Sequence, residues 1–398
     1  MTDCMENSNR CARKKVCFVT TIEMTVRAFL LEHIRAMSEI YDVCIIANTE
    51  NPDFLKSLEI NVIVIPVVIE RKIYLLHDIK ALFRLYWLFR KNGFDVVHSI
   101  MTKSGLLGMV AGFLARVPNR VHTFTGQLWV TQSGFKHFFL KSIDRLLAFL
   151  ATRILVDSNS QRDFIISEGI VSGAKAYVLA RGSITGVNTE KFRPNSQARA
   201  DIRASLGISD SDVVFLFLGR LTRDKGLLDL ARAFSKVRSR YNNVDLVVVG
   251  PDEEGLRGKI LEICGAYSDV IYFEDYTNIP ESYMAAADIF CLPSYREGFG
   301  NVIIEAAATG IPAIGTRIYG VTDAIEDGVT GLLYEPRDAE ALAGLMERLI
   351  ENANLRKEIG MKARTKALQD YSNEKVVSAM LDFYEIMIAG KNNECRCN

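Results

Sequence analysis

Two glutamates, Glu297 and Glu305, stand on either side of the glycine-rich turn Gly298-Phe299-Gly300, with seven residues between them. A strand-length apolar run precedes the turn and a helical pattern follows it, so Glu297 falls in a loop and Glu305 on a helix. Both can face one ligand from different directions. The backbone amides of Gly298, Phe299 and Gly300 sit at the positive end of that helix. Carboxylates accept from hydroxyls and free amides donate to anions, so the set suits a polyhydroxylated ligand that carries phosphate. Upstream, Phe217-Leu218-Gly219-Arg220-Leu221-Thr222-Arg223-Asp224-Lys225-Gly226 is a second strand-to-helix turn. Its Arg220 and Lys225 stand where a diphosphate could accept charge-assisted hydrogen bonds.

These loops need strands to hold them. Short β-branched runs alternate with longer helical patterns almost throughout, which predicts parallel sheets covered by helices on both faces. Strands are expected near 16–21, 42–47, 61–67, 95–99, 120–124, 154–157 and 176–179, then, after a polar stretch with Pro194, near 212–218, 244–249, 270–273, 289–292 and 312–315. The expected organisation is a flexible segment 1–13, an N-terminal domain 14–190, a C-terminal domain 191–371, a helix 372–390 crossing back to the first domain, and a tail 391–398. Two α/β domains of similar size imply a cleft between them, with ligands beyond the carboxyl ends of the strands.

The chain has 398 residues, 49% hydrophobic and 24% charged, enough for two compact units with their own cores. Its net charge is zero, yet residues 1–200 hold 26 Lys and Arg against 17 Asp and Glu, and the remainder holds 22 against 31. An N-terminal half that is net basic fits an anionic partner such as a membrane surface or a phosphorylated substrate. The eight cysteines lack zinc-type spacing and are expected to be reduced thiols. The polar start of the chain gives no secretory signal, and no apolar run reaches the length of a membrane-spanning helix. A cytoplasmic protein is therefore expected.

Taken together, three motifs resemble the retaining glycosyltransferases of family 4: the Gly219-Arg220…Lys225-Gly226 loop, the Glu297…Glu305 pair, and Gly320-Val321-Thr322-Asp323-Ala324…Gly328…Gly331-Leu332-Leu333. The resemblance spans nearly the whole chain and implies the GT-B fold, an α/β architecture of two doubly wound Rossmann-like domains facing a cleft. Val97-His98-Ser99…Gly105-Leu106-Leu107-Gly108, His122-Thr123-Phe124-Thr125-Gly126-Gln127-Leu128-Trp129 and Gly182-Ser183-Ile184-Thr185-Gly186-Val187-Asn188 are similar to the subgroup that builds bacterial O-antigen and capsule repeats. That subgroup moves amino or deoxyamino sugars from UDP donors to polyprenyl-diphosphate-linked acceptors.

The resemblance implies that Arg220 and Lys225, with Gly219, clamp the donor diphosphate. It implies that Glu305 holds the ribose hydroxyls, and that Glu297 faces the donor sugar with the amides of Phe299, Gly300 and Asn301. Where many members carry a histidine after the fifth strand, this chain has Thr125, with His122 three residues earlier, and both are candidates. The paired-glycine loop of the family is replaced after the first strand by Thr20-Thr21-Ile22-Glu23-Met24-Thr25. No cofactor, metal or nucleic acid is expected, because cations and a helix end stabilise the leaving phosphate. Asp210-Ser211-Asp212 spells a D-x-D metal motif, but it precedes a strand instead of ending one. The fingerprint begun by Gly298-Phe299-Gly300 lacks its third glycine, since position 303 is Ile. An epimerase or phosphorylase of similar shape, and a non-catalytic sugar-binding protein, are the alternative readings.

Two basic, aromatic helices, near 73–91 (Phe83, Tyr86, Trp87, Phe89) and 135–153 (Phe138, Phe139, Phe149), can either lie in a bilayer interface or turn their aromatics into the core. Peripheral contact with the inner face of the membrane is the expectation drawn from them.

Overall fold

The computed structural model describes residues 13–70 and 74–394, so the expected flexible ends and four of the cysteines (Cys4, Cys11, Cys395, Cys397) lie outside or almost outside the described residues. The other four, Cys17, Cys44, Cys264 and Cys291, are buried free thiols.

Two parallel sheets form the molecule. The first has seven strands: β1 (Lys15–Ile22), β2 (Asp42–Asn48), β3 (Ile63–Pro66), β4 (Val96–Ile100), β5 (Asn119–Phe124), β6 (Arg153–Val156) and β7 (Ala176–Val178), in the order β3-β2-β1-β4-β5-β6-β7. The second has six: β8 (Val213–Leu218), β9 (Val244–Val249), β10 (Ile271–Glu274), β11 (Ile289–Leu292), β12 (Ala313–Thr316) and β13 (Gly331–Tyr334), in the order β10-β9-β8-β11-β12-β13. Central strands such as Val-Asp-Leu-Val-Val-Val in β9 are buried from end to end, because helices cover both faces and leave no solvent side for polar residues to occupy. Twelve of the strands coincide with those read from the sequence, and β13 is an addition.

In each sheet the strand order reverses once, between β1 and β4 in the first and between β8 and β11 in the second. Strand-end loops on either side of a reversal diverge to opposite faces and leave a crevice between them. The loops after β8 and β11 carry the basic and acidic motifs, so sheet order alone brings them together.

The chain passes between the domains twice, at adjacent points. The Val187 amide donates to the Tyr371 carbonyl at 2.8 Å, and the Asn373 amide donates to the Val187 carbonyl at 3.0 Å. Beyond this point the helix Asn373–Glu394 lies on the first domain. Its Val376, Met380, Tyr384 and Met387 are buried among Val16, Phe18, Ile34 and Ile45. The Tyr384 hydroxyl lies 2.8 Å from His98 Nδ1 on β4, while His98 Nε2 lies 2.7 Å from the Thr123 hydroxyl. His98 is thus a core histidine with both nitrogens satisfied, and burial pushes its pKa well below the ordinary value.

Candidate functional site

Lys225 ends a short 3-10 turn, Arg223–Lys225, ahead of the helix Leu227–Arg238. Gly226 makes the turn possible: its φ is +69°, and a Cβ there would lie 1.9 Å from the Pro293 carbonyl oxygen, so the loops after β8 and β11 touch backbone to backbone. Across this contact Lys225 Nζ donates to Glu297 Oε1 at 2.5 Å, and the buried Ser294 hydroxyl donates to the same oxygen at 2.7 Å. Arg296 reaches back to Asp224 at 2.7 Å, and the Asp224 carbonyl accepts from the Tyr295 amide at 2.7 Å. The cation and the carboxylate are therefore held by a reciprocal set of contacts between two loops.

Arg220 stands at the same strand end, more exposed, and its Nη1 donates to Glu253 Oε2 at 2.8 Å on the loop after β9. Both expected phosphate-binding cations are thus paired with a carboxylate, Arg220 with Glu253 and Lys225 with Glu297. Gly219, at the exit from β8, has a φ of +155°, a conformation that favours glycine. The helix Asn301–Thr309 starts at Gly300 with no side-chain cap, which leaves its first amides available to an anion. Glu305 sits one turn along this helix. Desolvation pushes its carboxyl up to about 7, with Lys191 acting to lower it and Glu281 to raise it. Phe299 directs its ring away from the cleft, into the domain seam, where it meets Tyr371 edge-on at 5.2 Å and lies against Gly182. Asn301 accepts from the Ser183 hydroxyl at 2.7 Å through its side chain. The ring of Phe299 is thus taken up by the seam, and its backbone alone remains at the start of the helix.

The seam is well joined. Asp323, in the third of the sequence motifs, accepts from the amides of Asn159 at 3.1 Å and Ser160 at 3.3 Å, capping the start of the helix Asn159–Ser167 from the other domain. Tyr319 stacks on Phe164 at 4.6 Å, and Phe164 stacks on Trp129 at 5.4 Å. The Ser158 hydroxyl donates to the Gly298 carbonyl at 3.1 Å. The contacts that cross the seam are not legible in the sequence, because each joins residues more than a hundred positions apart whose types are common at surfaces.

The two candidates on β5 part company. Successive strand residues point to opposite faces, and His122 points into the core, where its Nδ1 lies 2.9 Å from the Ser99 hydroxyl and its ring fills the space left by Gly105. Burial drives its pKa down to about 3. Thr125, past the strand end, reaches the seam: a Cβ built on Gly298 would lie 2.9 Å from its carbonyl carbon. The expectation that either could serve the reaction centre is narrowed to Thr125. Met101 lies beside it, with the Thr125 hydroxyl 3.5 Å from its sulfur and a backbone φ of +73°. Asp210 and Asp212 precede β8, at the end of the sheet away from the crevice.

The aromatic helices are exposed, against the core-facing alternative. On Leu75–Asn92, Trp87 is 67% exposed and Phe83 62%, and Phe89 alone of its aromatics is buried, beside Ala81 and Leu85; on Gly134–Leu150, Phe135 is 82% exposed and Phe149 74%. Leu75, Leu76, Phe138 and Phe113 add to this apolar surface. No helix among the described residues is long and apolar enough to cross a membrane.

The family model for glycosyl transferases group 1 matches residues 198–366, and that for a glycosyl transferase 4-like domain matches residues 25–182. The chain is 32% identical over 333 residues to the capsular polysaccharide biosynthesis glycosyltransferase CapM of Staphylococcus aureus, covering 82% of this chain and 85% of that one. It is 28% identical over 362 residues to the Escherichia coli UDP-Gal:alpha-D-GlcNAc-diphosphoundecaprenol alpha-1,3-galactosyltransferase, covering 89% and 91%. Among solved structures it superposes on sucrose-phosphate synthase from Thermosynechococcus elongatus with a TM-score of 0.78 at 20% identity, covering 95% of this chain and 100% of that one. HepE of Anabaena, in complex with UDP and glucose, superposes with a TM-score of 0.77 at 18% identity, covering 94% and 99%. With the two reversed sheets, the seam and the paired loops, these matches place the chain in the glycosyl transferases group 1 family, as a family 4 glycosyltransferase of GT-B fold.

Proposed function

We propose that this glycosyltransferase moves a sugar, of the N-acetylated amino or deoxyamino class, from a UDP-sugar to a polyprenyl-diphosphate-linked saccharide during synthesis of a bacterial surface polysaccharide. The contact between Lys225 and Glu297 carries the reading, since it sets a cation and a hydroxyl acceptor side by side at the start of an uncapped helix. A nucleotide diphosphate bonded to a sugar asks for that combination. Relatives named for capsule synthesis and for transfer to a diphosphoundecaprenol-linked sugar support the acceptor class.

Transfer proceeds on one face of the sugar. The bond from the anomeric carbon to the β-phosphate oxygen breaks, and the acceptor oxygen bonds to the same carbon on the same face. The acceptor proton passes to the departing phosphate oxygen. Lys225, Arg220 and the amides at the start of Asn301–Thr309 stabilise the negative charge that grows on the phosphate, with no metal ion in that role. The donor displaces the carboxylates from the two cations, and Glu297 turns to the sugar hydroxyls.

A polyprenyl acceptor lies in a bilayer, and the exposed aromatics of Leu75–Asn92 and Gly134–Leu150 support docking of the N-terminal domain on that surface. Mass-spectrometric screening of UDP-sugars against polyprenyl-diphosphate-linked saccharides tests the whole reading. The expected result is UDP release that requires acceptor. Turnover of donor to an isomer without acceptor identifies an epimerase instead.

A further inference from the structure

Asp157 follows β6 at the cleft-facing edge of the N-terminal sheet, and its side chain is buried. It presses on the loop that carries Glu297: a Cβ built on Gly298 would lie 2.4 Å from Asp157 Oδ2, so the carboxyl occupies the space where any side chain at 298 would stand. Its backbone is fastened on both sides. The Asp157 amide donates to Gln161 Oε1 at 2.8 Å, and its carbonyl accepts from the Ser183 amide at 2.6 Å. Gln161 passes the connection on, donating to Gln127 Oε1 at 3.3 Å and to the Phe124 carbonyl at 3.4 Å. The ends of β5, β6 and β7 are thus tied into one unit, and Asp157 is the part of it in contact with Gly298.

We propose that Asp157 is a positioning residue for transfer: from the end of β6 it holds the Glu297-Gly298 turn of the other domain at the height where Glu297 meets the donor sugar. The inference rests on the reading of that turn as the donor-sugar loop. Asp157 acts in its neutral form. Burial, and secondarily the nearby Glu297 carboxylate, push its carboxyl up to about 8. The other charged groups at the seam are engaged elsewhere: Lys225 with Glu297, Arg296 with Asp224, Asp323 with the Asn159 and Ser160 amides, while Arg181 on the loop after β7 is exposed. No cation among them is bonded to Asp157. A neutral acid can sit beside Glu297 where a second carboxylate would be repelled. One of its oxygens, Oδ1, is buried without a protein partner, as is Gln127 Nε2 on the same network.

The sign follows from the raised value. The engaged arrangement holds a proton that the disengaged one releases, so engagement weakens as pH rises from the ordinary carboxyl range to about 8, and is level above it. Hydrogen exchange over residues 293–301 of the full ligand-free chain, corrected for the intrinsic rate, reads this directly. Wild type is expected to lose at least about tenfold protection between pH 6 and pH 8.5. Asp157→Asn, neutral at every pH, should keep protection at both, and Asp157→Ala should be unprotected at both.

Should Asp157→Ala not fold, the comparison of wild type with Asp157→Asn decides alone: a pH response that persists in Asp157→Asn, or is absent from wild type, overturns the proposal. With donor and acceptor supplied, Asp157→Ala should lose about 10–100-fold in kcat with UDP affinity within about threefold of wild type, and Asp157→Asn should restore most of the rate. Equal losses in kcat and UDP affinity overturn it as well. The exchange arm needs no donor or acceptor, so it decides the role of Asp157 independently of the transferase reading.

Discussion

Lys225 and Glu297 come from strand-end loops 72 positions apart, yet their Nζ and Oε1 atoms lie 2.5 Å from each other at a mostly buried site. The pair exists because β8 and β11 are neighbours at the reversal of the second sheet. In the ligand-free protein each group satisfies the other, so the diphosphate proposed to bind there would compete with Glu297 for the cation.

Removing the cation separates catalysis from folding. Lys225→Ala is expected to lower kcat by about 10²–10³-fold, the usual effect of deleting one stabiliser of developing charge. Arg220→Ala, which removes a half-exposed partner of Glu253, should cost about 1.5–3 kcal/mol of transition-state stabilisation and at most about 1 kcal/mol of stability. Steady-state kinetics and thermal unfolding of the same preparations check both. Full activity in either folded variant removes that residue from the phosphate clamp.

Donor binding is expected to depend on pH through Glu305. Its carboxyl, raised to about 7 by burial, would have to ionise to accept fully from the two ribose hydroxyls proposed for it. Affinity for UDP-glucose, whose doubly esterified diphosphate does not titrate near neutrality, should rise with pH up to about 7 and then level off. Glu305→Gln should bind more weakly with a flat profile. Calorimetric titrations at several pH values test this, and a wild-type profile without slope ends the ribose assignment.

Excess chelator should leave transfer unchanged, because in the proposed mechanism Lys225 and the amides at the uncapped start of Asn301–Thr309 stabilise the leaving phosphate in a metal's stead. Asp210→Ala and Asp212→Ala should likewise be active, since both precede β8 at the far end of the sheet. An enzyme silenced by chelator and revived by Mn²⁺ contradicts the charge-stabilisation scheme.

Membrane docking should depend on aromatics more than on the neighbouring cations. Lys141 is engaged with Glu168 at 2.5 Å, and Arg145 donates to the Gly169 carbonyl at 3.3 Å, so neither is a free contact for headgroups. Changing Trp87, Phe135 and Phe149 to Ser should abolish sedimentation with anionic liposomes, with little cost in stability because all three are exposed. Lys136→Glu should only weaken it, in a salt-dependent way. Wild type that ignores such liposomes refutes the docking face.

The architecture was legible because strands buried on both faces read as short, β-branched apolar runs bounded by turn residues and alternating with longer helical patterns. β13 escaped because it is four residues long and begins with glycine. Lys225, Glu297 and the backbone of Gly298 to Asn301 were legible from residue type at a strand end. The direction of His122 was not, since a one-residue change of register exchanges core and cleft. The exposure of Trp87 and Phe135 was hidden for another reason: both helices carry apolar residues on more than one side, so pattern alone does not say which side is covered. Asp157 was hidden because its setting is made by Gly298, from the other domain.

The return of the helix Asn373–Glu394 to the first domain orders events during synthesis. Without Val376, Met380, Tyr384 and Met387, one face of the nascent N-terminal sheet is only partly covered, and His98 lacks its phenolic partner. The second domain has no such debt: its core draws on residues 187–371 alone. The ribosome releases the first domain's residues earliest, yet that domain completes its fold last, after the whole of the other has emerged. Until then the uncovered part of that face is a site for chaperone capture or misassociation, and a chain halted before residue 376 should be recovered with a folded second domain and an unfinished first.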